Sequence, residues 1–258
     1  MITRILGDRR TQALTRRVDR PAVYALAAVQ AGIAAAGWLA EPLWLAVAIA
    51  AQLAVGALIA GRIIGPARAG LGLARYAMPA TAGVAATLFG RLLPGGLSLL
   101  LVPLVAVLLW SVVYLELRAE RLVGGRTLMQ LLMTTILFAA AAGILELLGA
   151  SGWPPPVALV ALPALILGLR DAEGRGVTGV QAVGQTLLHV LAVMQVATAS
   201  LLLDLPIPIV PALVALTFYA WGGAVESLQS GASGRSVAVE FGALGMLGLL
   251  IALLLHRG

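Results

Sequence analysis

The sequence predicts an all-α bundle of about nine membrane-spanning helices, and three observations predict it. The 258 residues are 61% hydrophobic and 11% charged, against about 45–50% apolar and about 25% charged in ordinary soluble domains. Apolar runs of around 20 residues recur along the chain, each long enough to cross a hydrocarbon core of about 30 Å. The runs are continuous rather than alternating every second residue, which excludes a barrel. In lipid the backbone must then satisfy its own hydrogen bonds as helix. Finally, arginine collects in every second loop, the orientation signature of a helical membrane protein.

Taken in order, residues 1–20 hold six arginines with Ile2, Ile5, Leu6, Ala13, Leu14 and Val18 between them. They lack the apolar core and cleavage site of a signal peptide. They are expected to form a basic amphipathic helix on an anionic cytoplasmic leaflet. Spans are expected at 21–40 and 42–64, joined by a tight turn at Glu41, then at 76–93, 97–117 and 127–148. The remaining four are 156–169, 177–203, 207–228 and 237–256. The third and sixth are short, and Pro79 and Pro163 are expected to break them. Residues 21–258 then form one transmembrane domain behind the cytoplasmic segment 1–20.

With the N-terminus inside, this count puts fifteen of the 17 arginines on the cytoplasmic side. Only Arg91 and Arg257 fall outside. Removing the third span would turn the six arginines from Arg118 to Arg235 outward, so the charge bias supports that span more strongly than its hydropathy does. Trp38, Trp44 and Trp153 fall at outer ends and Tyr24, Tyr76 and Tyr114 at inner ends, as an aromatic belt requires. The expected location is a cytoplasmic (inner) membrane crossed many times, with the lipid bilayer as the main partner. The 30 glycines, with many alanines, supply small surfaces on which helices pack where lipid gives no hydrophobic drive between them.

Composition also excludes chemistry. There is no cysteine, so disulfides, thiolate nucleophiles and cysteine-ligated metals are ruled out. Every basic residue is arginine, which removes a P-loop or Schiff-base lysine. The net charge of +6 is accounted for by membrane orientation, and no nucleic-acid partner is expected. No HExxH helix, aspartate-rich prenyl-transfer motif, GxSxG elbow or Gly-rich phosphate loop is present. No catalytic residue, metal site or cofactor is therefore assigned.

The polar residues inside spans are the candidate sites, because a charge there is costly. Glu226 and Glu240 flank a glycine- and serine-rich bend (residues 219–241, YAWGGAVESLQSGASGRSVAVEF) that carries Arg235. In a helical hairpin the two carboxylates fall at matching depth. They form either a proton, cation or substrate site, or a carboxylate–arginine lock with Arg235 and Gln229 as partners. Gln181, Gln185 and His189 follow at spacings of four and share a helical face. His189 is either a hydrogen-bonded interhelical residue, a proton relay or a single axial ligand to haem or chlorin. The only other histidine, His256, ends the last span, so bis-histidine haem within one chain fails. Glu41, Glu146 and Asp204 fall at outer ends and are expected to be hydrated.

The residues YAWGG and SGRSVAVEFG, with Arg235, Val237, Glu240 and Phe241, resemble the C-terminal part of an uncharacterised bacterial polytopic membrane family, a domain of unknown function. The resemblance covers about the last 40 residues and implies no activity. Three functional classes are expected to compete. The first is a non-catalytic integral membrane protein, a scaffold or accessory subunit associating with other membrane subunits. The second is a small secondary transporter or channel using Glu226, Glu240 and His189. The third is an intramembrane lipid-modifying enzyme.

Overall fold

The structure, a computed structural model, describes residues 20–64, 72, 74–119, 122–148, 155–206 and 208–256. The expected N-terminal amphipathic helix, apart from Arg20, and Trp153 lie outside these residues. The described residues form helices and the short connections between them, with no strand among them. Nine α-helices run in chain order: α1 Arg20–Trp38, α2 Pro42–Ile64, α3 Ala74–Phe89, α4 Val102–Arg118 and α5 Gly125–Leu148, then α6 Pro155–Gly174, α7 Gly179–Leu202, α8 Ile209–Gln229 and α9 Gly234–His256. Short 3-10 turns at Gly90–Leu92 and Gly95–Leu101 join α3 to α4. Seven of the nine are long and apolar enough to cross a bilayer; α3 and α6 are the exceptions. These seven point to an integral membrane protein of the helical class.

Helix boundaries follow local chemistry. Proline stands at the first or second position of α1, α2 and α4, where its missing N–H costs nothing. Three helices end in one capping pattern, in which a residue of positive φ closes the last turn with a pair of backward hydrogen bonds. After α6, Gly176 (φ 80°) places Val177 N–H on the Ala172 carbonyl at 3.1 Å. After α8, Gly231 (φ 92°) places Ala232 N–H on Ser227 at 3.0 Å. After α7 the positive-φ residue is Asp204, which is exposed as expected and is one of the few non-glycine types that tolerate this conformation.

α3 is the centre of the bundle, packing against α1, α2, α4, α5 and α6. Its sequence ARYAMPATAGVAATLF is mostly small, and eleven of its sixteen residues are buried. Neighbours reach its backbone through glycine. A Cβ on Gly56 of α2 would lie 2.7 Å from the Ala80 nitrogen, and one on Gly143 of α5 would lie 2.8 Å from the Leu88 carbonyl carbon. Contrary to expectation, neither Pro79 nor Pro163 breaks its helix; both sit inside continuous α3 and α6. The neighbouring turns and packed helices hold the backbone through the lost hydrogen bond.

Polar groups tie this centre. Gln30 of α1 donates to the Pro79 carbonyl at 3.0 Å, and Gln52 of α2 donates to the Gln30 carbonyl at 2.8 Å and to Thr87 Oγ1 at 3.2 Å. Both glutamines are fully buried, and Gly83 supplies the room for their side chains. Trp38 also turns inward, donating from Nε1 to the Ala86 carbonyl at 3.0 Å. It is thus a buried tie between α1 and α3 rather than a belt residue, whereas Trp44 and Tyr24 are exposed as a belt requires. Arg91 caps α1 by donating to the carbonyls of Gly37 and Ala40 at 2.8 and 2.7 Å.

Candidate functional site

The charged residues of the described bundle gather at one end. There α4, α6 and α8 finish and α3 and α5 begin. Glu116 lies in the last turn of α4, and its side chain is wholly buried. Arg170 of α6 meets it as a fork, Nε to Oε1 at 2.6 Å and Nη2 to Oε2 at 2.8 Å. Arg75, at the start of α3, lies 3.8 Å from Oε2 and donates from Nη2 to the Glu116 backbone carbonyl at 3.0 Å. A buried carboxylate is tolerable only when paired and hydrogen-bonded in this way. The fork therefore ties α3, α4 and α6 at one depth.

Beyond Leu169, where the apolar part of α6 ends, three more charged residues follow. Asp171 pairs with Arg175 at 2.7 Å, and Arg175 also donates to Gln185 of α7 at 3.3 Å. Glu173 is 6% exposed and accepts a hydrogen bond from the Gly72 backbone N–H. Its second oxygen, Oε2, is buried without a hydrogen-bond partner among the described residues. Burial pushes both carboxyls above the usual range, against the pull of Arg175 on Asp171 and of Arg170 on Glu173.

These groups wall a cavity of about 440 Å³ between α5, α6, α8 and the turn before α5. Arg170, Asp171 and Glu173 form its charged side, Met129 and Met133 its apolar side, and Arg126 and Glu226 its rim. Its volume falls in the range of small-molecule pockets, about 300–1,000 Å³.

The sequence-predicted residues distribute unevenly around this centre. The α8–α9 hairpin exists, but its carboxylates take separate courses. Glu226 pairs with Arg126 at the start of α5, at 3.1 Å. Gln229, Arg235 and Glu240 are exposed. Neither Arg235 nor Glu240 has an ion pair among the described residues. The expected pairing of Glu226 with Arg235 is replaced by one with Arg126, because the start of α5 lies beside α8. Both members of that pair are about half exposed, so Glu226→Gln is expected to shift stability by no more than about 1 kcal/mol. Thermal unfolding in detergent checks this; a larger loss would make the pair a structural lock after all.

Gln181 is exposed, Gln185 half-buried and His189 buried. Each step of four residues turns about 40° past a full revolution at 3.6 residues per turn, so the shared face spirals inward. His189 donates from Nε2 to the Phe218 carbonyl at 3.0 Å and stacks on the Phe218 ring at 4.2 Å. Gly168 packs against its other ring nitrogen. It is a hydrogen-bonded residue between α7 and α8, with Nε2 committed to that bond.

Sequence reasoning passed over Glu116, Arg170, Asp171 and Glu173. A signal for Glu116 was present, since it lies inside the expected span 97–117 and is as anomalous there as Glu226. Compared with protein-family models, curated proteins and solved structures, the chain matches none of them.

Proposed function

We propose that the chain is a small secondary transporter, loading a polar solute into the cavity between α5, α6 and α8. The observation that supports this reading is the cavity itself, charged on one wall and reaching into a bundle whose other groups are mostly apolar. Its walls draw on α6, one of the two proline-bearing helices, and α6 packs on α3, the other. Both helices are continuous, but neither is long and apolar enough to cross a bilayer, and short helices are one pointer to transporter sites. By the charge rule the arginine-rich end faces the cytoplasm, so the cavity opens inward, in the cytoplasmic membrane of a bacterium.

The test uses the purified chain in sealed vesicles, with transport currents recorded for a panel of alkylamines, amino acids, carboxylates and inorganic cations. A saturable current that is abolished by Glu226→Gln and by Glu173→Gln, at unchanged melting temperature, is the expected result. No current for any member of the panel would overturn the reading. A second reading, an accessory subunit of a membrane assembly, is favoured by α9. Its chief contact is α8, and Gly242, Gly245 and a row of exposed Leu and Met residues leave its outer face open. That reading expects stoichiometric membrane partners to co-purify in mild detergent.

A further inference from the structure

We infer that the cavity binds a primary ammonium group, held by Glu173 with Asp171 as the second carboxylate. The inference rests on the reading of the cavity as a solute site and names the chemistry of the solute.

Hydrogen-bond arithmetic leads to this class. Arg170 spends two of its nitrogens on Glu116, and Arg126 is engaged with Glu226. Both arginines that line the cavity thus already face a carboxylate. The open group is an acceptor: Glu173 Oε2, buried and without a hydrogen-bond partner among the described residues, on a residue that lines the cavity. Asp171 lines the same space, and its Oδ2 faces Arg175 without making a hydrogen bond of good geometry. An ionised carboxylate can only accept, so the ligand must bring donors. Leaving such an oxygen buried and unpaired costs free energy that a donor would recover. Among the lining carboxylates Glu226 faces Arg126 and Asp171 faces Arg175, while Glu173 keeps a buried oxygen without a hydrogen-bond partner among the described residues, so a positively charged donor suits that oxygen best. A primary ammonium supplies both in a compact group. Met129 and Met133 opposite offer an apolar surface for its carbon chain. A multivalent metal is not the occupant indicated, because among the described residues no group of three acidic or histidine side chains could hold one.

The same groups set the pH dependence. Burial raises the Glu173 carboxyl, the nearby Glu116 adds to the rise, and Arg170, Arg75 and the Gly72 N–H oppose it. For Asp171, burial and Glu226 raise it, while Arg175, Arg126 and Arg170 oppose. A cation needs the ionised form, so affinity is full at higher pH and is lost as pH falls through these raised values.

The experiment is binding of n-butylammonium to the full chain in a phospholipid-free maltoside detergent, by calorimetry and thermal shift, with tetramethylammonium as the comparison. Butylammonium is expected to bind saturably. Tetramethylammonium, which has the charge but no N–H, should bind about tenfold or more weakly. Glu173→Gln should weaken butylammonium by a similar factor and flatten the pH dependence. Glu173→Asp should keep binding, and its melting temperature separates lost binding from lost fold. A parallel native mass-spectrometry arm identifies the source of the ammonium. Selective retention of phosphatidylethanolamine over phosphatidylcholine, lost in Glu173→Gln, marks a lipid headgroup, and binding from bulk solution marks a soluble amine. The inference is overturned if neither arm shows binding, or if Glu173→Gln binds as the native chain does. Ammonium binding without any vesicle current removes the transporter reading alone. Current for a solute with no ammonium group, without amine binding, removes only this inference.

Discussion

Glu116→Ala is expected to destabilise the bundle by about 3–5 kcal/mol, the typical cost of breaking a buried pair by removing one partner. The effect does not come from the net strength of the ion pair. The Glu116 side chain is fully buried and the side chains of Arg170 and Arg75 are nearly so, at 10% and 13% exposure. Removing the carboxylate leaves the charge of the Arg170 guanidinium, which lost its water when α4 and α6 packed on α3, without its forked acceptor. The chain should lose its monodisperse peak in detergent and melt at a markedly lower temperature. Arg170→Ala should act in the same direction, because it strands the buried carboxylate. Replacing the two together by Leu and Met should recover much of the loss, since an apolar pair carries no desolvation cost. A Glu116→Ala chain that melts with the native one would show that the fork does not tie α4 to α6.

Gly56→Ala is expected to be the most damaging single methyl addition in α2, at about 1–3 kcal/mol. The new Cβ would lie 2.7 Å from the Ala80 nitrogen and within 3 Å of the Ala80 Cβ. Backbone cannot turn aside as a side chain can, so α2 and α3 must part along their contact. Gly32→Ala and Gly184→Ala serve as controls, because nothing lies within 4 Å of the added atom at either site. There the substitution should be neutral or stabilising by about 0.5–1 kcal/mol, through the backbone entropy that glycine loses on folding. Equal melting shifts at all three positions would mean that close approach of α2 to α3 is not what Gly56 provides.

Much of the architecture was legible because hydropathy and arginine placement obey the same constraint. Each apolar run of span length became a helix, and the weak third run, supported more by charge than by hydropathy, is the helix α3, which is not itself long and apolar enough to cross a bilayer. Why α3 is short and proline-bearing was not legible. It is the central helix, surrounded by protein rather than lipid, so its smallness reflects packing and not hydropathy. The site was read less well. Glu226 was found because it stands alone in an apolar stretch, and it does line the cavity. Glu173 and Asp171 were hidden in RDAEGR, where four charges in six residues look like a hydrated loop. Only the fold reveals that α6 runs through that string to Gly174 and buries Glu173 behind it. Gln30 and Gln52 were missed for the opposite reason. Single amides in alanine-rich runs give no periodic signal, and their partners are 22 to 49 residues away.

The cavity is predicted to admit water from the arginine-rich end as far as Met133, one of its lining residues. Because the chain has no cysteine, single cysteines can be introduced without background and labelled in sealed, right-side-out and inverted vesicles. The reagent is the membrane-impermeant trimethylammonium-ethyl methanethiosulfonate; the cysteine thiolate, which forms only where water reaches, attacks its thiosulfonate sulfur, forming a disulfide and releasing methanesulfinate. Met133→Cys is predicted to react from the arginine-rich side alone. Leu131→Cys, whose parent side chain is exposed on α5 but away from the cavity lining, should stay unreactive because lipid covers it. An unreactive Met133→Cys in a chain of native melting temperature, or labelling at both positions alike, would contradict the account.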